Sequence, residues 1–417
     1  MSLLVVSPDF ASHYGPLAVL AGAARAGGHR VVVATGPTLR PQVEADGFEW
    51  TPLALGASSN DGVVADSPAI GRFIAATGDG PVATIGLQAR ERQRDLLWQP
   101  ERVGRELAEL CGRLGPDEVL VDHVSFGSTL ALHATGRSFV TLVPGHPSQL
   151  PVGDERYGIP ARWPAALRPD PAPLTALAEL VDGVTSAFTG RWNEALAGLA
   201  PDRPPAADAF RVHGRRVLYN GVSGLVDPDR AALQPSDHRF VGPLVRDEAL
   251  PDDLRAWAAD ADGRPRVYVA LGTFLSRRGD VLARIADALR RADVVAAMAI
   301  GPTSPGALGP IPEGWLVRPR LPQVALLAHA DLVVHHGGNN TVQEALAAGV
   351  RQVVLPFSTD QFAGAADLER AGWASVASPN DASPAELAAA VGSQLAGPRP
   401  TPIPRPSRDD LIQALFA

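Results

Sequence analysis

The chain has 417 residues, of which 46% are hydrophobic, and it carries a formal net charge of −8. This length favours two domains, while the scattered charges and strand-length apolar runs argue against a nucleic-acid groove and a membrane span. All 37 basic side chains are Arg, which excludes a Schiff-base lysine and a phosphate-loop lysine, and the single Cys111 excludes an internal disulfide and predicts a cytoplasmic location.

The first half of the chain alternates strand-like and helix-like segments. Buried strands are predicted at 3–7, 29–35, 118–122 and 138–143, and helices at 16–26 and 126–135. The stretches 55–100 and 145–210 are less periodic, and we predict that they form long loops and short helices at the edge of the sheet. The alternation predicts a parallel sheet with helices on both faces.

The second half repeats this pattern after a segment, 238–253, whose Pro, Gly and acidic residues are typical of a linker. Strands are predicted at 266–272, 294–300, 315–320, 331–336, 352–357 and 374–378. We therefore predict an α/β protein with two facing, Rossmann-like, doubly wound parallel-sheet domains, residues 1–237 and 254–400. A C-terminal helix within 401–417 is expected to pack back on the first domain. Ligands of such sheets bind at the carboxyl ends of the strands, which places them in the cleft between the domains.

A histidine follows the first predicted strand. The loop PDFASHYGP, residues 8–16, places His13 just before a helix, and histidine acts as a base near neutral pH. Asp122 ends the strand EVLVD at the same sheet edge, where a carboxylate bonded to the imidazole would fix its tautomer and stabilise its charged form. We interpret the two as a candidate base and its support; the alternative for each is a cap or turn residue.

A glycine-rich turn joins a strand to a helix within DLVVHHGGNNTVQEAL, residues 331–346. The glycines allow the backbone to approach a ligand, and the N–H groups and dipole at the helix start favour a phosphate. Glu344, one turn further, is placed to accept hydrogen bonds from ribose hydroxyls. The predicted diphosphate contacts in this turn are His336, Gly338, Asn339, Asn340 and Thr341.

Three further strand ends carry candidate contacts. Asp360 and Gln361 combine acceptor and amide groups that suit vicinal sugar hydroxyls. Gly272 and Thr273 are candidates for the diphosphate, with a plain turn as an equally weighted alternative. The candidates for holding a nucleobase are Arg320, Leu321 and Gln323. We interpret the acidic residues at 260–262 as solvated, and we predict no metal site.

An apolar acceptor pocket is expected in the first domain, because large aromatic residues stand in its irregular segments. For any single one of them, anchoring of a local loop is at least as good an interpretation. The candidates are Phe73, Trp98, Phe126, Tyr157 and Trp163.

Taken together, these segments resemble the family 1 glycosyltransferases of the GT-B fold over nearly the whole chain. The similarity lies in SHYGP at 12–16, PDEVLVD at 116–122 and, most specifically, HHGGNNTVQE at 335–344 with PFSTDQ at 356–361. The bacterial enzymes that glycosylate enediynes, macrolides and other natural products are the most similar in character. The resemblance implies a dTDP- or UDP-linked sugar as co-substrate, no bound cofactor, and an apolar aglycone as acceptor.

The resemblance also implies an inverting, metal-independent transfer. His13 would deprotonate the acceptor hydroxyl with support from Asp122, and the oxygen would attack the anomeric carbon as the diphosphate leaves. The roles implied for the other site residues are stabilisation of the leaving group by His336, Asn340 and Thr341, ribose binding by Glu344, and sugar binding by Asp360 and Gln361. Two departures from the family are the Asn339-Asn340 pair, where many bacterial members have Ala-Gly, and Arg320, where plant members usually have Trp.

Two other functions share parts of this pattern. A nucleotide-sugar epimerase of the GT-B fold would need the donor motif without an apolar acceptor region, and a non-catalytic helper protein would need neither His13 nor Asp122. Hydride transfer is disfavoured because G-x-G-x-x-G is missing after the first strand of either domain. We expect a monomer or homodimer; the sequence leaves open the sugar, the aglycone and the choice between UDP and dTDP.

Overall fold

The computed structural model describes residues 1–56, 67–259 and 263–417, with only the backbone for 92–94. The strands of the first sheet are β1 (Ser2–Val6), β2 (Arg30–Thr35), β3 (Glu49–Pro52), β4 (Glu118–Asp122), β5 (Val140–Val143), β6 (Arg216–Tyr219) and β7 (His238–Phe240). Those of the second sheet are β8 (Arg266–Ala270), β9 (Val295–Ala299), β10 (Leu316–Arg318), β11 (Leu332–His335), β12 (Arg351–Val354) and β13 (Ala374–Val376).

Sixteen α-helices are named within the described residues. Those before the second sheet are α1 (Ala11–Ala26), α2 (Arg40–Ala45), α3 (Pro68–Asp79), α4 (Pro81–Leu96), α5 (Pro100–Leu114), α6 (Phe126–Thr135), α7 (Pro171–Leu199), α8 (Pro228–Ala232) and α9 (Arg255–Ala258). Those that follow are α10 (Gly272–Leu275), α11 (Gly279–Arg291), α12 (Gln323–Leu327), α13 (Asn339–Ala348), α14 (Asp360–Arg370), α15 (Pro384–Ala396) and α16 (Arg408–Phe416).

Both sheets are parallel and doubly wound. Their strand orders are β3-β2-β1-β4-β5-β6-β7 and β10-β9-β8-β11-β12-β13, so each reverses direction beside its first strand. The central strands are apolar on both faces because helices cover both sides, as in β1 and β4. The predicted fold class, two Rossmann-like parallel-sheet domains, is confirmed, and the loops after the carboxyl ends of the strands carry the candidate site residues.

The structure differs from the sequence-based prediction in two places. Strand β7 begins the segment predicted as a linker, and His238 pairs there with Val217 of β6, so the first sheet extends to Phe240. Three residues are too few to show a strand pattern in the sequence. They form a strand because they pair with β6. The prediction of long loops and short helices is wrong for α4 in the segment 55–100, a helix of 16 residues. It is also wrong in 145–210 for α7, a helix of 29 residues whose apolar side chains are spread along its length.

The C-terminal helix α16 packs on the first domain. Leu411, Ala414 and Leu415 are buried in the same core as α1 and β1. Arg215 and Arg216 donate hydrogen bonds to the carbonyls of Leu415 and Ala414 at distances of 3.1 and 2.8 Å, where cations suit the negative end of a helix. Within the described part of the chain, no helix combines the length and hydrophobicity required to cross a membrane.

We predict that Leu415→Ala lowers the free energy of unfolding of the first domain by about 2–5 kcal/mol, because it leaves a cavity beneath a fully buried side chain. A urea titration followed by circular dichroism measures the change. The control is Gln413→Ala on the exposed face of the same helix, which should cost no more than about 0.5 kcal/mol. Equal losses in the two variants would show that α16 does not contribute to the core.

Candidate active site

The structure brings His13 and Asp122 together. His13 lies in the first turn of α1, directly after β1, and Asp122 is the last residue of the neighbouring strand β4. Nδ1 of His13 lies 2.8 Å from Oδ2 of Asp122, while Oδ1 of Asp122 accepts a hydrogen bond from the backbone N–H of Val124 at 3.0 Å. The carboxylate is fully buried, whereas 26% of the His13 side chain is exposed, so a ligand in the cleft can reach the imidazole.

The charge on Asp122 is retained despite its burial. Burial opposes ionisation, but the charge and hydrogen bond of His13, together with His123 and the N–H of Val124, lower the pKa of Asp122 below its ordinary value. An ionised carboxylate only accepts hydrogen bonds, so Nδ1 of His13 carries the proton and Nε2 presents a lone pair. This is the tautomer in which an imidazole serves as a general base.

The glycine-rich turn of the second domain is shaped around the ring of His336. A Cβ atom on Gly272 would lie 2.8 Å from this ring, and one on Gly338 would lie 2.4 Å from it, so only glycine fits at either position. Burial lowers the pKa of His336 to about 4 despite a hydrogen bond to the backbone of Ala270 that raises it, so the imidazole is neutral at pH 7 and its one N–H is engaged by Ala270. Thr273 is exposed in the short helix α10, beside the turn.

Asn339 and Asn340 form contacts between the domains. The side-chain amide of Asn339 donates to the carbonyls of Pro144, Gly145 and Asn220, at 2.8, 3.1 and 2.9 Å. The amide of Asn340 donates to the carbonyl of Ser12 at 2.8 Å. The side-chain amide of Asn339 is thereby occupied by the first domain. The diphosphate contact predicted for this residue would therefore have to come from its backbone N–H at the start of α13.

The contact of Asn340 sets the distance between the two halves of the site. Ser12 immediately precedes His13, and Asn340 lies in the first turn of α13. The start of the α13 helix therefore lies beside the His13 loop across the cleft. The loops at Pro144, Gly145 and Asn220 take part in the same junction, and sequence reasoning missed them because their contribution is a backbone carbonyl, which any residue type offers.

Three residues predicted to contact a nucleoside or diphosphate form one cluster. The amide of Gln323 donates to Oγ1 of Thr341 at 3.0 Å and also to the carboxylate of Glu344. Burial, opposed by the hydrogen bond from Gln323, raises the pKa of Glu344 to about 7; Glu248 raises it further and Arg405 lowers it.

The other two candidates for the nucleobase site lie at the start of this cluster. Leu321 packs partly buried against the core of the second domain, and Arg320 is exposed to solvent. The role predicted for these two residues in binding a nucleobase stays a prediction.

Asp360 and Gln361 begin helix α14. The carboxylate of Asp360 accepts from the backbone N–H of His146 in the first domain and from the hydroxyl of Thr359, both at 3.1 Å. The carbonyl of the Gln361 side chain accepts from the backbone N–H of Phe357 at 3.0 Å, which stabilises the turn before the helix. Thr359 has a φ of 38°, a conformation that is rare for a β-branched residue and strains the turn next to Asp360.

An apolar cavity that opens to solvent lies between the first domain and this turn. Its walls come mainly from α4 and α7, and Thr359 is the contribution of the second domain. The lining residues include Ile85, Ala89, Leu96, Tyr157, Val181, Val184 and Thr185. Sequence reasoning missed the helical residues because it predicted long loops and short helices in 55–100 and 145–210. The spacing of Val181, Val184 and Thr185, which places them on one face of a helix, could have indicated α7.

Of the five aromatic candidates for the acceptor pocket, only Tyr157 lines this cavity, where its ring stacks on Phe210 at 4.0 Å. The prediction for Phe126 is wrong: its ring is 2% exposed and packs in the core against Phe188 and Phe210. Its place at the start of a helix looked irregular in sequence, but that helix is covered by α7.

The remaining three aromatic candidates have local or interdomain partners. Phe73 packs edge to face with Phe274 of the second domain at 6.4 Å, and Trp163 lies 5.0 Å from Phe362. The ring of Trp98 lies under the guanidinium of Arg102, so it anchors α5 locally. The acidic segment 260–262 lies outside the described residues.

Comparison with known proteins agrees with this architecture. Residues 281–401 match the family described as erythromycin biosynthesis protein CIII-like, C-terminal domain. The chain is 31% identical to demethyllactenocin mycarosyltransferase of Streptomyces fradiae over 62% of its own length and 52% of that protein, about half of the relative. It is 26% identical to tylactone mycaminosyltransferase of the same organism over 94% of this chain and 84% of that one.

Solved structures resemble the whole chain. The glycosyltransferase of kitacinnamycin superposes with a TM-score of 0.71 at 21% identity, covering 99% of this chain and 93% of that one. The glycosyltransferase VinC, solved in complex with dTDP, gives a TM-score of 0.64 at 20% identity over 99% and 94%. The fold is thus that of a GT-B protein with a cleft between two domains. The resemblance predicted from the motifs is confirmed, because the chain is similar in sequence to natural-product glycosyltransferases and in fold to solved ones.

We predict that Glu344→Gln stabilises the protein more at about pH 8 than at about pH 5. The folded state raises the pKa of Glu344 from 4.5 to about 7, so it binds this proton more tightly than the unfolded state does. The contribution of Glu344 to stability therefore falls as pH rises from about 4.5 through 7, and glutamine removes this loss, on the order of 1–3 kcal/mol.

The difference in melting temperature between variant and wild type, measured at both pH values, tests this prediction. Glu179→Gln, on an exposed face of α7, is the control and should show no such difference. A pH-independent effect of Glu344→Gln would contradict a raised pKa at this carboxyl.

Proposed function

We propose that this protein transfers a sugar from a nucleoside diphosphate to a hydroxyl group of an apolar small molecule, with inversion at the anomeric carbon. One observation carries the proposal: the His13–Asp122 pair, joined at 2.8 Å, lies beside the helix start of the second domain through the contact between Asn340 and Ser12. A base and an anion-binding turn on opposite sides of one cleft are what such a transfer requires.

The first step is activation of the acceptor. Nε2 of His13 takes the hydroxyl proton as the acceptor oxygen bonds to the anomeric carbon, and the imidazolium that forms is stabilised by the ionised Asp122. The bond from the anomeric carbon to the diphosphate breaks on the opposite face, so the configuration inverts. Asp360 and Gln361, at the start of α14, are proposed to hold the sugar hydroxyls during this step.

Negative charge then develops on the departing diphosphate. The backbone N–H groups at the start of α13 and the hydroxyl of Thr341 are proposed to bind this charge, beside the neutral ring of His336. Gly272 and Thr273 approach from the neighbouring strand end. Because helix-start donors and the helix dipole supply the stabilisation, the proposed transfer does not need a divalent metal ion.

The proposed donor is a dTDP- or UDP-linked sugar. Glu344 accepts hydrogen bonds from the ribose hydroxyls, while Arg320, Leu321 and Gln323 hold the base. The dTDP complex of VinC and the mycarosyl and mycaminosyl transfer in the names of two relatives support dTDP and a natural-product sugar. The sugar, the oligomeric state and the cytoplasmic location stay predictions.

The proposed acceptor is an apolar aglycone of polyketide, enediyne or macrolide type. The cavity lined by Tyr157, Val181 and Thr185 reaches Thr359, the residue before Asp360, so an aglycone there has its hydroxyl near the proposed sugar site. This cavity supports transfer over epimerisation of a nucleotide sugar. The intact His13–Asp122 pair supports an enzyme over a non-catalytic helper protein.

We predict that His13→Ala lowers turnover about 10²–10⁴-fold, because it removes the general base, and leaves the affinity for the nucleotide sugar unchanged. Turnover of UDP- and dTDP-sugars with a panel of apolar aglycones, and donor binding by calorimetry, are the measurements. Asp122→Asn should lose a similar share of turnover. His133→Ala, on α6 away from the cleft, is the control and should keep full activity. Undiminished turnover of His13→Ala would overturn the proposed base.

We predict that Thr185→Trp raises the KM for the aglycone roughly 5–150-fold, the equivalent of about 1–3 kcal/mol, because the indole fills the cavity. Steady-state kinetics with each substrate varied in turn separate this effect from donor binding, which should not change. Ser186→Trp, whose side chain is exposed on the next position of α7, is the matched control. An unchanged KM in Thr185→Trp would place the acceptor elsewhere.

A further inference from the structure

A histidine–aspartate–histidine cluster lies far from the cleft, at the opposite edge of the first sheet. His213 precedes β6, Asp237 immediately precedes β7, and His238 begins β7, so all three lie near the amino ends of these strands. The catalytic candidates occupy the carboxyl ends. One potential ligand atom from each of the three side chains lies within 4.8 Å of the others.

A backbone carbonyl fixes the tautomer of one imidazole, and a hydroxyl contacts Nδ1 of the other. Nδ1 of His213 lies 2.8 Å from the carbonyl of Gly214, and a carbonyl only accepts, so Nδ1 carries the proton and Nε2 the lone pair. Nδ1 of His238 is paired with the hydroxyl of Tyr219 at 2.9 Å. Its Nε2 is buried and has no hydrogen-bond partner.

These features match the surroundings of metal-bound histidines, in which one ring nitrogen binds the metal and the other is oriented by a backbone carbonyl or another oxygen. We propose that His213, Asp237 and His238 bind one divalent transition-metal ion such as Zn²⁺, with water completing the coordination. Ligand atoms about 2.0–2.1 Å from a tetrahedral Zn²⁺ lie roughly 3.3 Å apart, so binding requires the three atoms, now within 4.8 Å of one another, to move closer by side-chain rotation.

The electrostatic surroundings are compatible with a cation. Asp237 supplies a negative charge. The nearby cation, Arg230, is already paired with Glu155 at 2.9 Å, which offsets its repulsion of the metal ion.

A metal ion at this position ties together two parts of the first domain. His213 lies in the loop before β6, whereas Asp237 and His238 lie at the start of the edge strand β7, from which the chain leaves for the second domain. β7 has only three residues and pairs with β6 alone. The proposed ion therefore stabilises the least supported strand of the sheet and is independent of sugar transfer.

Calorimetric titration of ZnCl₂ into tag-free, chelator-treated protein tests the site, and Co²⁺ provides a visible absorption spectrum that reports the ligands. We expect one ion per chain and a rise in melting temperature on binding. His213→Gln and Asp237→Asn should each weaken binding at least about tenfold. Asp237→Asn keeps the side-chain shape, so it decides the matter if His213→Gln fails to fold.

His13→Ala and His133→Gln are the controls. Both should bind Zn²⁺ as the wild type does. His13→Ala breaks the His13–Asp122 pair of the cleft, which is joined at 2.8 Å, and His133→Gln removes a histidine from the same domain. Absence of binding, or affinity unchanged in Asp237→Asn, would overturn the proposal. Loss of binding in His13→Ala would also overturn it, by placing the ion in the cleft.

Discussion

The amide of Asn339 is the contact on which the arrangement of the two domains depends. It donates to three carbonyl oxygens of the first domain while its backbone begins the helix that faces the cleft. Buried carbonyls need partners, and no aliphatic side chain could satisfy them. Together with the contact between Asn340 and Ser12, this junction holds the His13 loop beside the glycine-rich turn. The proposed base and the proposed diphosphate site therefore share one cleft.

The cleft is suited to an anion although the protein has a net charge of −8 and contains no lysine. Burial keeps His336 neutral and raises the pKa of Glu344 to about 7, which limits fixed charge at the proposed donor site. Asp122 is the exception, because His13 lowers its pKa despite complete burial. The negative charge of Asp122 thus lies beside the imidazole of His13, where it supports the proposed base. The dipole at the start of α13 favours the proposed diphosphate.

The elements that sequence predicted well are those whose pattern is local. Alternating apolar strands and glycine-bounded helices indicate both sheets, and the carboxyl ends of parallel strands must share an edge, so His13 and Asp122 were expected to be close. Failures came where partners are remote. Phe126 is core because α7 covers it, and β7 is a strand because β6 pairs with it. The cavity walls belong to helices α4 and α7, which lie in segments whose sequence showed little periodicity.

The sequence by itself determined the fold class, the motif positions and the residue types available for chemistry, because each is set by short-range periodicity or by identity. Only the tertiary structure decided that the amide of Asn339 joins the domains, that Gln323, Thr341 and Glu344 form one cluster, and that His213 meets Asp237 and His238. These contacts join segments distant along the chain, and their hydrogen bonds, burial and pKa shifts exist only once packing has removed water from the groups involved.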